Sequence, residues 1–303
     1  MTACLLAAVL LLFCTCSFAA AEEMVMAITL DDLPSHGLLP PQMTRVGIAE
    51  SVIRTLKDNG VPSVYGFING GRLASEPASV PVLKLWIDAG FLLGNHGYAH
   101  RDLNTTDVEV FERDIDANEP LLETLMEGSD WHYFRYPFVR QGDTLEKRRA
   151  VRTYLSEHGY KIADVTLDFQ DYAWNTPYVR CIAAGDAKAI EWLKASYLAA
   201  AREHVAVGRQ MAHMLFGRDI KHVLLLHISP FSSIMLPALL AQLREQGAHF
   251  VSLPDAEADP AYRYDQDVVP DRGPLLDGLL QAAHMTYPPH AETPLQTIGS
   301  ICQ

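Results

Sequence analysis

Basic residues are scarce in this sequence, and they form no cluster. Lysine and arginine together number 24 against 37 aspartates and glutamates, so the formal net charge at pH 7 is −13. Nucleic acids and anionic membrane surfaces attract proteins through concentrated positive charge. The composition therefore argues against both as binding partners.

Long apolar runs are absent beyond residue 21. Residues 1–21 carry no charged side chain and are strongly apolar up to Phe18. This run is shorter than the ~20 residues that a membrane-spanning helix needs, and three alanines end it. Residues 1–21 are therefore predicted to be a signal peptide of a periplasmic or secreted protein, with no membrane span after its removal. Because lysine and arginine are missing from its start, a membrane anchor and a buried helix stay open as alternatives.

Cysteine is also sparse. Three of the five cysteines fall within residues 1–21, which leaves Cys181 and Cys302. Two cysteines in an oxidising compartment can form a disulfide, here one that ties the C-terminal tail to the body of the protein. Two free thiols remain the alternative at this point.

Short apolar runs alternate with longer segments of helical periodicity from residue 25 to residue 253. Strands are predicted at 25–30, 63–67, 91–95, 131–135, 161–167, 222–227 and 249–253, with helices between them that include one continuous helix over 106–126. Repeated βα units with continuously apolar strands indicate a parallel sheet, and about seven such units favour a barrel. Residues 256–303 are rich in proline and aspartate and are predicted to pack on this barrel as an extension.

Polar side chains follow the predicted strands, where parallel α/β folds place their chemistry. Asp31 and Asp32 repel each other, so they form either a solvated turn or a pair that a cation neutralises. His96 and His100 are spaced so that both imidazoles can bind one divalent ion, and one aspartate would complete a set of three ligands. The other aspartate would then stay free as a general base. Other polar residues at predicted strand ends are Arg135, Asp168, Asp171 and His227.

These residues make the chain similar to the NodB-type polysaccharide deacetylases, carbohydrate esterase family four. All five motifs of that family have matches, in order, over about residues 25–255. The matches are Thr29-Leu30-Asp31-Asp32, His96 with His100, Arg135 with Pro137 and Phe138, Asp168 with Asp171 and Tyr172, and Leu224 with Leu226 and His227. The resemblance implies a distorted (β/α)7-type barrel, with a catalytic domain over residues 22–255 and an extension over 256–303.

The resemblance also implies a role for each matched residue. Asp31 would be the general base and His227 the acid that protonates the leaving amine, with Arg135 and Asp171 orienting them. The expected ligands of a divalent metal, zinc or else cobalt or another transition ion, are Asp32, His96 and His100. The residues expected on the substrate and oxyanion side are Phe138, Tyr172 and Leu226.

The sequence departs from the family at positions that shape the substrate groove. Leu33 follows the two aspartates where glycine is usual, which predicts a bulkier rim, and Gly97 stands where serine or threonine is preferred. His36, in the next loop, could contact substrate or metal, although a histidine in a loop is more often merely exposed. The predicted substrate is an amino-sugar polymer or oligomer similar to chitin or peptidoglycan, from which the enzyme removes N-acetyl groups. The alternatives are an O-acetyl esterase on xylan-like polymers, another amidase, and a carbohydrate-binding protein without activity.

Overall fold

The computed structural model describes residues 23–270, 273–291 and 293–303. The signal peptide predicted for residues 1–21 lies outside these ranges. Within them, no helix combines the length and the apolar character that crossing a membrane requires.

One sheet of parallel strands forms the centre of the protein. The first strand, β1, lies in its middle and pairs with β6 along one edge. Its other edge is shared, because β7 pairs with the first half of β1 and β2 with the second half. Apart from β7, the order of the strands across the sheet is β5-β4-β3-β2-β1-β6. The strands are β1 Met24–Leu33, β2 Tyr65–Ile68, β3 Leu92–Asn95, β4 Tyr133–Phe134, β5 Lys161–Ile162, β6 Lys221–His227 and β7 Ala248–Val251.

The sheet curves round until its two edges approach each other. Beyond β5, the N–H groups of Thr166 and Leu167 each donate to the carbonyl oxygen of Val223 in β6, at 3.1 Å. Helices connect the successive parallel strands. The predicted distorted (β/α)7-type barrel is therefore confirmed.

Local capping signals fix the ends of several helices. Thr44, for example, accepts a hydrogen bond from the N–H of Gly47 at the start of the first helix, and Gly217 ends the longest helix in a left-handed conformation. The α-helices are α1 Arg45–Asp58, α2 Arg72–Ser75, α3 Val80–Asp88, α4 Val108–Asp116, α5 Glu119–Leu125, α6 Leu145–Glu157, α7 Asn175–Ala184, α8 Ala187–Phe216, α9 Pro230–Glu245, α10 Leu253–Glu257, α11 Leu275–Ala282 and α12 Leu295–Ser300.

The prediction of one helix over residues 106–126 is wrong, since α4 and α5 are separate helices. Pro120 has no N–H to donate to the preceding turn, so it begins a new helix. The side chain of Asn118 at the break accepts from the N–H of Gly70 at 2.9 Å and donates to the carbonyl of Ile68 at 2.8 Å. This break fastens the helices to the end of β2.

The C-terminal segment packs on the barrel at two places. Helix α11 packs against α8, where the side chains of Leu276 and Leu280 share a buried apolar cluster with Val207 and Met211. Helix α12 packs against α7. Cys181 of α7 and Cys302 form a disulfide across this second contact, which is one of the two alternatives that the sequence left open, and close a loop of 121 residues.

Candidate active site

Asp31 and Asp32 are neighbours in β1, yet both line one cavity at the end of the sheet. Successive side chains of a regular strand point to opposite faces. The β1–β2 register shifts between Leu30 and Leu33, and Asp32 adopts a positive φ of 64°. This irregularity turns the second carboxylate to the same side as the first. Both carboxylates are buried, with 2% of each residue exposed.

The same irregularity moves Leu33 away from the rim that the sequence predicted for it. Its side chain is fully buried and packs against Gly66 of β2, which Trp86 of α3 also borders. A Cβ at position 66 would lie 2.6 Å from Leu33 Cδ2, so glycine there makes room for the leucine. Leu33 is therefore a core residue and does not shape the substrate groove.

Asp32, His96 and His100 converge as the sequence predicted for a metal site. Asp32 Oδ1 lies 3.7 Å from His96 Nε2 and 3.3 Å from His100 Nε2. The three side chains offer ligand atoms within 4.8 Å of one another. The two histidines lie at the start and end of a loop after β3, not on a helix.

The donor set fits a divalent cation. Asp32 Oδ1 is buried and has no hydrogen-bond partner among the described residues, which is costly unless a positive group faces it. His96 Nδ1 donates to the carbonyl of Arg135 at 2.7 Å, so Nε2 keeps its lone pair toward the aspartate. Burial lowers the pKa of both His96 and His100 to about 4, so both rings are neutral at pH 7, as metal ligands must be.

The loop between the two histidines depends on a glycine. Gly97 has a φ of 70°, and a Cβ on it would lie 2.7 Å from Asp114 Oδ2. Asp114 accepts the N–H of Ala99 at 3.0 Å. The departure from the serine or threonine of the family therefore has a local cause, since this carboxylate occupies the space a side chain would need.

Arg135 holds Asp31 from inside the barrel. Its Nη1 lies 3.1 Å from Asp31 Oδ1, its Nη2 donates to Thr29 Oγ1 at 3.1 Å, and its Nε donates to the carbonyl of Ala163 at 2.7 Å. Burial raises the pKa of Asp31, and the Arg135 charge acts in the opposite direction. The guanidinium thus fixes the carboxylate in place and favours its charged, proton-accepting form.

His227 and Asp171 form a second charged pair. His227 Nδ1 donates to Asp171 Oδ1 at 2.6 Å, while the other oxygen of Asp171 accepts the N–H of His227 at 2.9 Å and the hydroxyl of Ser232 at 2.8 Å. Burial disfavours the charged imidazole, but the Asp171 carboxylate, together with Asp32 and Asp31, outweighs it and raises the pKa of His227 to about 9. His227 is therefore protonated at neutral pH, with Nε2 as a proton donor. It lies opposite Asp31 in the β1–β6 register.

Two of the three residues expected on the substrate side line the cavity. The Phe138 ring lies 4.4 Å from the His100 ring and is 54% exposed, with a backbone φ of 59°. Tyr172 packs edge-on against His227 at 5.4 Å. Leu226 is buried in the core, whereas Leu225 on the opposite face of β6 lines the cavity. The structure thus does not bring Leu226 to the site.

His36 contacts the site, which the sequence had left open beside the more usual case of an exposed loop histidine. Its Nδ1 lies 2.5 Å from Asp32 Oδ2, and its ring lies 4.7 Å from the His227 ring. The backbone N–H of His36 donates to the carbonyl of Ile228, just after β6, at 3.2 Å. The spacing of four residues from Asp32 was the available sequence signal, but only the turn at residues 32–36 brings the two side chains together.

With this geometry described, the chain can be compared with known proteins. A family model described as polysaccharide deacetylase matches residues 19–163. This confirms the resemblance for the first three motifs, and the structure places Asp168 and His227 of the last two motifs in the same cavity, with Asp171 hydrogen-bonded to His227 behind it.

Two curated relatives are similar to parts of the chain. A chitin deacetylase of Colletotrichum lindemuthianum is 31% identical over 171 residues, which is 50% of this chain and 55% of the relative. A chitin deacetylase of Arthroderma benhamiae is 26% identical over 119 residues, or 39% of this chain and 30% of the relative. The chain thus spans about half or less of the length of these relatives.

Solved structures support the fold. A polysaccharide deacetylase from Bacillus cereus superposes with a TM-score of 0.53 at 19% identity, covering 76% of this chain and 92% of the other. A carbohydrate esterase family 4 pseudoenzyme from Bacillus anthracis superposes with a TM-score of 0.51 at 15% identity, covering 78% and 66%.

Proposed function

We propose that the protein is a metal-dependent hydrolase that removes N-acetyl groups from an amino-sugar polymer or oligomer. The observation that carries this proposal is the single cavity in which the buried, unpartnered Asp32 Oδ1 faces two neutral histidines, with Asp31 and His227 beside them. The family match and the chitin deacetylase relatives support the same reaction.

Asp32, His96 and His100 would hold the cation, with zinc the first candidate. A divalent cation held there polarises an acyl carbonyl and makes water more acidic. Asp31, oriented by Arg135, accepts a proton from the attacking water. His227, held protonated by Asp171, donates a proton to the leaving nitrogen. Water and an acetamide are thereby converted to acetate and an amine.

The Phe138 segment and Tyr172 would border the acyl group. Phe138 has a left-handed backbone conformation beside His100, and its N–H is the candidate donor to the developing oxyanion. The Tyr172 ring, against His227, would face the acetyl methyl group. The geometry suits an acetyl ester as well as an acetamide, so O-deacetylation of a xylan-like polymer is the second candidate.

The protein would act outside the cytoplasm. The Cys181–Cys302 disulfide, which persists in oxidising compartments, supports this location together with the predicted signal peptide. A polymer of amino sugars in a cell wall would be accessible there.

A substrate panel tests the proposed reaction. We expect acetate release from chitin oligomers or peptidoglycan fragments, its loss with a chelator, and its recovery on adding zinc. Release from acetylated xylan alone would favour the esterase. Activity unaffected by chelator would contradict the metal site, and no release from any substrate, with zinc bound, would favour a binding protein without activity.

A further inference from the structure

The active-site cavity extends beyond the catalytic residues to the C-terminal segment. Its volume is about 660 Å³, within the range of sites that enclose a small ligand. Asp31 and His227 line one end, and His204 and Met211 of α8 line the other. The facing side is formed by a set of residues that we name the C-terminal wall: Asp277, Tyr287, His290, Thr293 and Leu295.

The wall is fastened on both sides of its central residues. The N–H of Leu275 donates to the carbonyl of Val165 at 2.7 Å, and Thr293 Oγ1 donates to the carbonyl of Phe169 at 3.1 Å. Between them, the N–H of Ala291 donates to Glu203 Oε1 at 3.0 Å. Phe169 belongs to the same loop as Asp168 and Asp171. The hydrogen bond from Thr293 therefore fixes the position of the wall relative to this loop.

The side chains at this end suit a neutral ligand with many hydroxyl groups. His290 Nδ1 donates to the carbonyl of Pro288 at 3.0 Å, and His204 Nδ1 donates to the carbonyl of Ala200 at 2.9 Å. Each ring therefore keeps Nε2 as a hydrogen-bond acceptor. The Tyr287 ring lies 4.9 Å from the His290 ring and adds an aromatic surface.

The one arginine in the described lining, Arg140, is paired with Asp102. A sugar ring offers hydroxyl groups to the imidazoles and an apolar face to the tyrosine.

We propose that the C-terminal wall forms a sugar-binding subsite, in which Tyr287 and His290 contact the sugar next to the one that carries the acetyl group. This proposal rests on the proposed function, because it takes the acetyl group to lie at Asp31.

The test compares two kinds of substrate on the intact, zinc-loaded protein. For a chitin tetramer, we expect Tyr287→Ala and His290→Ala each to raise KM about fivefold, as expected for one lost stacking or polar contact, with little change in kcat. An aryl acetate, which needs only the catalytic end, should keep its kcat/KM. Tyr264→Ala is the matched control, because Tyr264 belongs to the same C-terminal segment but is 59% exposed and lies outside the cavity lining.

Binding measured by calorimetry separates this proposal from the proposed function. A tetramer affinity that falls in Tyr287→Ala but not in Tyr264→Ala supports the wall even if no substrate is turned over. An unchanged KM and affinity in both wall variants would overturn the subsite. Thermal unfolding of each variant, expected to match the wild type, shows that the wall is still folded.

Discussion

His36 Nδ1 lies 2.5 Å from Asp32 Oδ2, while the other oxygen of the same carboxylate faces His96 and His100. Burial favours the neutral form of Asp32, but the hydrogen bond and charge of His36 hold its pKa well below the usual range. An ionised carboxylate only accepts hydrogen bonds, so His36 is the donor. The contact fixes one oxygen and leaves Oδ1 for a cation.

The first prediction concerns this contact. His36→Ala should weaken zinc affinity about tenfold, the lower end of what loss of a partner behind a metal ligand costs. His36→Gln, which keeps an N–H donor, should recover part of the loss. Competition with a fluorescent chelator measures the affinity directly. His249→Ala is the control, because His249 is a surface histidine whose side chain is 65% exposed. Equal zinc affinities for the wild type and all variants would refute the role of His36.

The second prediction separates the two aspartates. Asp31→Asn should keep stoichiometric zinc in elemental analysis yet lower kcat by a factor of about 100 or more, because the proton acceptor is lost. Asp32→Asn should instead lose zinc. The reverse pattern of metal contents would mean that the roles of Asp31 and Asp32 are exchanged.

The third prediction concerns pH. The pKa of His227 is raised from its ordinary value to about 9, chiefly by Asp171 and also by Asp32 and Asp31, and the proton donor works only in its charged form. The rate should therefore hold toward pH 9 and fall above it. Asp171→Asn removes the charge that opposes burial, so the pKa of His227 should drop and the alkaline limb of kcat/KM should move to lower pH.

Ser232→Ala provides the comparison for this pH profile. It removes a hydroxyl that donates to Asp171 but leaves the carboxylate in place, so its alkaline limb should stay near that of the wild type. An alkaline limb that does not respond to Asp171→Asn would exclude His227 as the acid.

The fourth prediction concerns the disulfide. It closes a loop of 121 residues, so its removal in Cys302→Ser should lower the free energy of unfolding by about 2–4 kcal/mol through greater chain entropy in the unfolded state. Thermal unfolding with and without reductant measures the effect. Reductant should lower the Tm of the wild type to that of Cys302→Ser and leave the variant unchanged; a wild-type Tm insensitive to reductant would contradict the prediction.

The parallel barrel could be read from the sequence because its strands are apolar throughout and its helices are capped locally. The catalytic candidates could be read too, since Asp31, His96, Arg135 and His227 each follow or end a recognisable strand. The prediction of a single helix over residues 106–126 was wrong because the chain breaks at Asn118 and Pro120. The hydrogen bonds of Asn118 to Ile68 and Gly70, at the end of β2, are contacts between distant parts of the chain, which periodicity does not show.

The sequence by itself determined the parallel sheet and the set of residues available for chemistry. It left a Cys181–Cys302 disulfide as one of two possibilities. Only the tertiary structure decided which way those residues face. The left-handed turn at Asp32 points both carboxylates into the cavity and buries Leu33 in the core, and the same turn carries His36 to the metal ligands. Periodicity along the chain cannot show this, because one irregular φ reverses the alternation on which side-chain direction depends.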